Sequence, residues 1–166
     1  GFVDGTENPH GDDRDYFAKI GDEDLQYKGG SYLFVQKYLH NMDAWKSLTK
    51  EDQEKVIGRS KENDIEMSDD VKPSNSHIAL ANIEGENGVE LKIVRDNMPF
   101  GNPSTNEFGT YFISYASTFT TTNKMLTNMF IGNPPGNYDR ILDFSTAVTG
   151  TLFFVPTRNM LDDFSG

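Results

Sequence analysis

The chain has 166 residues, which fits one domain of ordinary size, and 36% of them are hydrophobic, enough for a real core. Acidic residues outnumber basic ones by 26 to 15 and no basic run occurs, which argues against a nucleic-acid partner. Cysteine is absent, so disulfides, thiol catalysis, iron–sulfur clusters and thiolate metal ligands are excluded. No apolar run approaches the roughly 20 residues that a membrane span needs.

The first part of the chain predicts a loop, a strand and a helix. Residues 1–28 are rich in Gly, Pro and Asp and show no sustained period, so we expect a loop. Residues 31–38 are aromatic and β-rich and predict a strand. Residues 42–57 predict a helix, with a local restart possible at Thr49, and Gly58 ends it.

The remainder predicts strands and helices that alternate after a long polar segment. Residues 59–76 are polar and lead directly to His77. Beyond it, the patterns predict strands over 90–95, 109–117 and 148–155, and helices over 123–130 and 159–164. The order is βαββαβ, which predicts an α+β, ferredoxin-like fold with an antiparallel sheet and helices on one face.

Three features could carry chemistry. Asp4 lies between glycines in the segment Gly1-Phe2-Val3-Asp4-Gly5, which is either a plain turn or a loop that approaches a ligand closely. His77, one of three histidines, lies where a polar segment meets Ile78-Ala79-Leu80, so it is either a hydrogen-bonded structural residue or a ligand entering an apolar pocket. Arg95 ends a predicted strand and precedes a predicted Pro-Phe-Gly turn. Its side chain either faces a ligand or is a strand-end cation that pairs with Asp96 or is solvated.

Together these features resemble the dye-decolourising peroxidases. Gly1-Phe2-Val3-Asp4-Gly5 resembles the family's GxxDG motif, which is followed by a proximal His and then by an Arg in an R-x-x-P-[YF]-G context. His77 and Arg95 occur in that order here. The segments around Trp45–Arg59 and Val148–Pro156 also look like the family's helix before the His and its closing strand.

The resemblance implies a haem b cofactor with His77 as the iron ligand. It places Asp4 and Arg95 on the opposite, peroxide side, where Asp4 would move a proton and Arg95 would supply fixed positive charge and bind a haem propionate. Asn97, two residues after Arg95, would donate a hydrogen bond into the same space, as in the family's B-type group. Arg59 is a further candidate for contact with haem.

An iron-bound imidazole needs a hydrogen-bond acceptor for its other ring nitrogen. Asp143 is our candidate, because a charged residue between apolar neighbours needs a partner; the alternative is a solvent-facing Asp143. A separate hypothesis is that Glu7, Glu66 and Glu90 converge near the haem edge and hold Mn(II), since oxygen ligands suit that ion.

The implied function is a haem-dependent peroxidase that reduces hydrogen peroxide and oxidises dyes, phenolics or similar one-electron donors. Trp45, Tyr111 and Tyr115 are candidates for relaying electrons from bulky donors. The alternatives are non-catalytic haem handling, which would need His77 but not Asp4 and Arg95 together, and a cofactor-free interaction domain.

We expect residues 1–166 to form a single C-terminal haem-binding domain, without the second ferredoxin-like domain that the family carries upstream. The upstream domain would normally cover an apolar face of the haem-binding domain, and exposure of that face favours homo-oligomers. We also expect a cytoplasmic location.

Overall fold

The computed structural model describes residues 2–3, 5–85 and 87–163. Its helices are α1 (Asp13–Ala18), α2 (Met42–Ser47), α3 (Lys50–Ile57), α4 (His77–Ala81), α5 (Phe119–Phe130) and α6 (Arg158–Asp163), with a 3₁₀ helix at Arg140–Asp143. Its strands are β1 (Ser31–His40), β2 (Ile83–Glu84), β3 (Glu90–Leu91), β4 (Val94–Asn102), β5 (Glu107–Ala116), β6 (Ser145–Ala147) and β7 (Thr151–Val155).

The main sheet is antiparallel and has β1 near its centre. β4 pairs with β5, and β5 pairs with β1. On its other side β1 pairs first with β7 and then with β6, so one interrupted strand completes the sheet. This lateral order and the chain order βαββαβ are those of a ferredoxin-like fold, as the sequence predicts.

The helical segment after β1 is divided where the sequence allows a restart. The Thr49 side chain accepts a hydrogen bond from the backbone N–H of Asp52 and so caps α3. Gly58 ends α3 in the left-handed region, with φ 93°. A Cβ at Gly58 would lie 2.9 Å from Ser76 Oγ, so the glycine also allows α3 to approach the start of α4.

Three local predictions are wrong. The loop expected over 1–28 contains α1, whose first turn carries two aspartates that favour a helix N-terminus. The single strand expected over 90–95 is divided: β3 pairs with β2, and β4 begins after Ile93, which is buried in the core. The Pro-Phe-Gly segment at 99–101 lies inside β4, where proline is tolerated because β4 is at the edge of the sheet.

The core lies between the sheet and helices α4 and α5. Its buried members are Ala81, Ile83, Ile93, Ala116, Met125 and Met129, with Phe112 and Ile141 packed against them. Side chains alternate between the two sheet faces, and the face opposite this core leaves Met98, Tyr111, Tyr115 and Phe153 exposed. Within the described residues, we find no helix with the length and apolar character required to span a bilayer.

Candidate active site

His77 is held by the start of a helix and by a buried carboxylate. Ser76, whose side chain is fully buried, caps α4 by accepting a hydrogen bond from the N–H of Ala79, which makes His77 the first helical residue. His77 Nδ1 lies 2.7 Å from Asp139 Oδ2. The Asp139 side chain is 0% exposed, whereas that of His77 is 30% exposed. The ring therefore faces a carboxylate on one side and remains accessible on the other.

The Asp139 carboxylate is fixed by the turn that carries it. Its Oδ1 accepts a hydrogen bond from the N–H of Ile141 at 2.9 Å, which caps the 3₁₀ helix, and its own N–H donates to the carbonyl of Met129. These bonds leave Oδ2 directed at His77. The prediction that Asp143 accepts from His77 is therefore wrong. Asp143 lies on the outer side of the same turn, where Oδ1 accepts from the Tyr138 hydroxyl at 2.9 Å.

A cavity of about 300 Å³ opens between His77 and the sheet. We call residues 76–81, 119–130 and 139–141 the His77 wall, and residues 5–8 and 94–97 the Arg95 wall. Seven apolar side chains from the helices, the sheet and the 3₁₀ helix contribute to the lining: Ile57, Ile78, Phe112, Met125, Leu126, Met129 and Ile141.

The Arg95 wall brings two of the sequence candidates to the same cavity. Arg95 and Asn97 both line it from β4, and in the ladder they are opposite Ser114 and Phe112 of β5. Residues 5–7 line it from the N-terminal loop. Asp4 lies outside the described residues, so its predicted place beside Arg95 stays a prediction.

Arg59 also lines the cavity and makes three side-chain hydrogen bonds. It donates through Nη1 to the Glu7 carboxylate, through Nε to Asp64 Oδ1 at 2.9 Å, and through Nη2 to the Asp64 carbonyl at 2.8 Å. Because its side chain is 13% exposed, these partners hold a largely buried cation at the cavity margin.

A row of polar side chains from β1 lines another part of the cavity: Gln36, Tyr38 and His40. The Tyr38 hydroxyl donates to Gln36 Oε1 at 2.8 Å, and the two His40 ring nitrogens lie 2.8 Å from the hydroxyls of Ser145 and Thr110. Burial raises the pKa of Tyr38 well above its usual value, and the nearby Asp139 carboxylate adds to this shift. Burial lowers the pKa of His40. The row is therefore neutral at pH 7.

The three carboxylates of the manganese hypothesis have separate partners. Glu7 binds Arg59, Glu66 binds Lys72 at 2.6 Å, and Glu90 binds Lys92 at 3.0 Å. In the part of the chain that the structure describes, no three acidic or histidine side chains form a group that could hold a metal ion.

The donor set of the cavity fits haem. With Nδ1 bonded to Asp139, the His77 ring has Nε2 as its remaining nitrogen, and an imidazole nitrogen is a usual iron ligand. The apolar lining suits a flat macrocycle, and Arg59 and Arg95 are cations suited to its two carboxylates. Two residues that matter here were not predicted from the sequence: Asp139, and Asn8, whose side chain binds the Arg95 backbone. Neither stands out by spacing or neighbours.

Comparison with known proteins identifies the family of this chain. Residues 1–160 match the family model described as "Dyp-type peroxidase, C-terminal". A dye-decolorizing peroxidase from Rhodococcus erythropolis is 63% identical over 163 residues, which cover 98% of this chain and 48% of that protein. The chain thus spans about half the length of the curated relatives it matches.

Solved structures show the same likeness. A variant of Rhodococcus jostii RHA1 DypB in complex with heme matches with a TM-score of 0.95 and 59% identity, covering 98% of this chain and 52% of that one. The encapsulated DyP-type peroxidase from Mycobacterium smegmatis matches with a TM-score of 0.94 and 62% identity, covering 98% and 53%. From sequence, fold and site together, this chain belongs to the Dyp-type, or dye-decolourising, peroxidase family.

Proposed function

We propose that the full-length protein is a haem-dependent peroxidase that reduces hydrogen peroxide and oxidises dyes, phenolics or similar one-electron donors. The observation that carries this proposal is that two sets of groups, one on the helices and one on the sheet edge, line the same cavity. One wall offers an imidazole backed by a buried carboxylate, and the other offers a permanent cation and an amide. A protein that only stores or transfers haem would need the first wall but not the second.

When bound, haem supplies the iron that binds peroxide and exchanges electrons with it. On the His77 wall, Nε2 of the ring would bind the iron. Nδ1–H would donate to Asp139, which gives the ring anionic character and makes it a stronger ligand. Because Asp139 is held by the N–H of Ile141, it keeps the ring in one orientation and one tautomer.

On the Arg95 wall, the residues would act on peroxide. Arg95 keeps its proton at working pH, so its role is electrostatic: it stabilises negative charge on the departing oxygen and binds a propionate. The Asn97 amide donates a hydrogen bond into the same space. Asp4, proposed from the motif alone, would take a proton from one peroxide oxygen and return it to the other. The complete reaction consumes two protons and two electrons for each peroxide and yields two waters.

The electron donors and the assembly also remain proposals. Tyr111 and Tyr115 are partly exposed on the sheet face opposite the cavity, and Trp45 packs against Phe2 and Phe144, so each could relay electrons to donors too large to enter. The exposed apolar side chains of that face favour self-association, which sedimentation of the full-length protein would measure. The cytoplasmic location stays a prediction.

The deciding experiment compares catalysis with haem transfer. The full-length gene product, loaded with haem, should oxidise an anthraquinone dye only when hydrogen peroxide is present, with many turnovers per haem. A haem-handling protein would instead give up its haem to apomyoglobin rapidly and oxidise the dye no faster than free hemin. The second result would contradict the proposed peroxidase.

A further inference from the structure

An asparagine side chain binds both backbone groups of Arg95. Asn8 Nδ2 donates to the Arg95 carbonyl at 2.7 Å, and the Arg95 N–H donates to Asn8 Oδ1 at 2.9 Å. The two residues are 87 positions apart in sequence. Within the described sheet β4 is an edge strand, so the backbone groups of Arg95 that point away from β5 have no strand neighbour. The Asn8 amide takes the place of one peptide group of that missing strand.

The same asparagine closes the loop that lines the cavity. The Asn8 N–H donates to the Gly5 carbonyl at 3.1 Å, which makes residues 5–8 a tight turn, and Gly5 adopts a positive φ of 80° there. Glu7, in the middle of this turn, binds Arg59. The turn is therefore fastened at one end to the backbone of Arg95 and, through Glu7, to the side chain of Arg59.

The chemistry of the bond requires an amide. Asparagine offers one N–H donor and one carbonyl acceptor in the geometry of a peptide group. An ionised aspartate at this position could accept from the Arg95 N–H but would place its second oxygen against the Arg95 carbonyl. Alanine would remove the Asn8 amide from both backbone groups. Glutamine, longer by one methylene, would move the turn away from β4.

We propose that Asn8 is a positioning residue: its amide clamp on Arg95 sets the distance between the 5–8 turn and the cation that faces peroxide. This proposal rests on the proposed peroxidase function. Asn8 itself is not among the described residues that line the cavity. It acts by keeping the turn and β4 in one register, so that the groups on the Arg95 wall need no rearrangement when peroxide arrives.

The first test needs no haem. Hydrogen exchange, resolved to single residues, is measured on the full-length gene product and its Asn8→Ala variant. In the variant the Arg95 amide loses its acceptor, so we expect its exchange to become about tenfold faster or more, while amides of the central strand β1 keep their rates. An unchanged rate at Arg95 would overturn the clamp.

The second test uses the pH dependence of Asn8→Asp in the haem-loaded protein. A protonated aspartic acid is nearly isosteric with asparagine and can both donate and accept, whereas the carboxylate can only accept. We expect the second-order rate with hydrogen peroxide to fall about tenfold at pH 7 and to recover toward the wild-type value near pH 4. Charged or titratable neighbours of this position are Glu7 and His10 in the chain and Arg95 and Asp96 on β4. Two more reach the same loop, Arg14 through the Pro9 carbonyl and Arg59 through Glu7, and all six are unchanged in the variant.

The matched control is Asn102→Asp, at the exposed end of the same strand. There the side chain accepts hydrogen bonds from the N–H and hydroxyl of Ser104, which a carboxylate also accepts, so an aspartate should leave the rate and its pH profile unchanged. If Asn8→Asp also follows the wild-type profile, the positioning role is overturned even where exchange at Arg95 accelerates. If the wild type shows no peroxidase activity while exchange accelerates, the clamp stands and the proposed function fails, so the two failures are distinguishable.

Discussion

The His77 wall keeps its decisive group inside the fold, whereas the Arg95 wall presents its groups from an edge strand and a turn. Asp139 is fully buried and reaches His77 from 62 residues further along the chain. Arg95 and Asn97 are partly buried on β4, and a side chain from the N-terminal loop completes that edge. The contrast indicates that the strength of His77 as an iron ligand would depend on the packing that buries Asp139. The chemistry with peroxide would instead depend on a few hydrogen bonds that hold Arg95 at the edge of the sheet.

The largest effect should come from the ligand itself. We expect His77→Ala in the full-length protein to remove the sharp Soret band that appears when hemin is added to the wild type, because no other imidazole replaces Nε2 at that wall. Added imidazole should restore part of the band. His10→Ala is the matched control, since His10 is exposed in a loop and should leave the spectrum intact. A Soret band unchanged in His77→Ala would contradict the assignment.

Arg95→Leu should have the next largest effect and tests the opposite wall. Removing the fixed cation should lower the second-order rate with hydrogen peroxide by about 100- to 1000-fold, since that is the range for loss of one group stabilising a developing oxyanion. We expect Asp4→Ala to lower the rate less, because water can carry part of a proton transfer. Stopped-flow absorbance measures both, and an inert Asp4→Ala beside a normal Arg95→Leu would reverse this ranking.

Asp139→Asn sharpens the comparison, because it changes the buried partner without removing the ligand. The amide is a weaker acceptor for His77 Nδ1–H, so the ring becomes less basic and the reduction potential of the bound iron should become more positive. Activity should fall by about 10- to 100-fold. Asp143→Asn provides the control, because Asp143 faces Tyr138 and should change the potential little. Equal shifts in the two variants would mean that Asp139 has no special role.

The smallest predicted effect concerns His40, in the polar row between the walls. Burial lowers the pKa of His40, so as pH falls the unfolded chain takes up a proton before the folded one does. The contribution to stability is therefore full above about pH 6.5 and is lost below it. Because the ring is only partly buried, we expect less than about 1 kcal/mol. Urea unfolding of His40→Gln should show a weaker pH dependence between pH 7.5 and 5.5, whereas exposed His10→Gln should match the wild type.

The sequence predicted the fold and several of the residues that line the cavity, but not the residues that hydrogen-bond to His77 and Arg95. Alternation and turn residues were enough for βαββαβ, because each strand and helix carries its own period. The choice between Asp139 and Asp143 was not predictable locally: both lie in one short 3₁₀ turn, and only docking of that turn under α4 decides which carboxylate points inward.

The Arg95 segment shows the same limit at the edge of the sheet. Pro99 and Gly101 predict a turn from local sequence, but they lie within β4. Proline is tolerated there because β4 is an edge strand, and the sequence does not show which strand lies at the edge. Asn8 likewise has no local signal, since its partner is the backbone of a residue 87 positions away. Contacts between distant segments, rather than local propensities, account for both misses.

The pairing of β1 with β6 and β7 determines when the His77–Asp139 pair can form during biosynthesis. β1 emerges from the ribosome before its neighbours on one side, β6 and β7, and Asp139 also follows it in the chain, just before β6. Closing such long loops is slow, and the carboxylate cannot reach His77 until it happens. Any cofactor that depends on the His77–Asp139 pair can therefore be bound only after translation has passed Asp139 and the segment that carries it has docked.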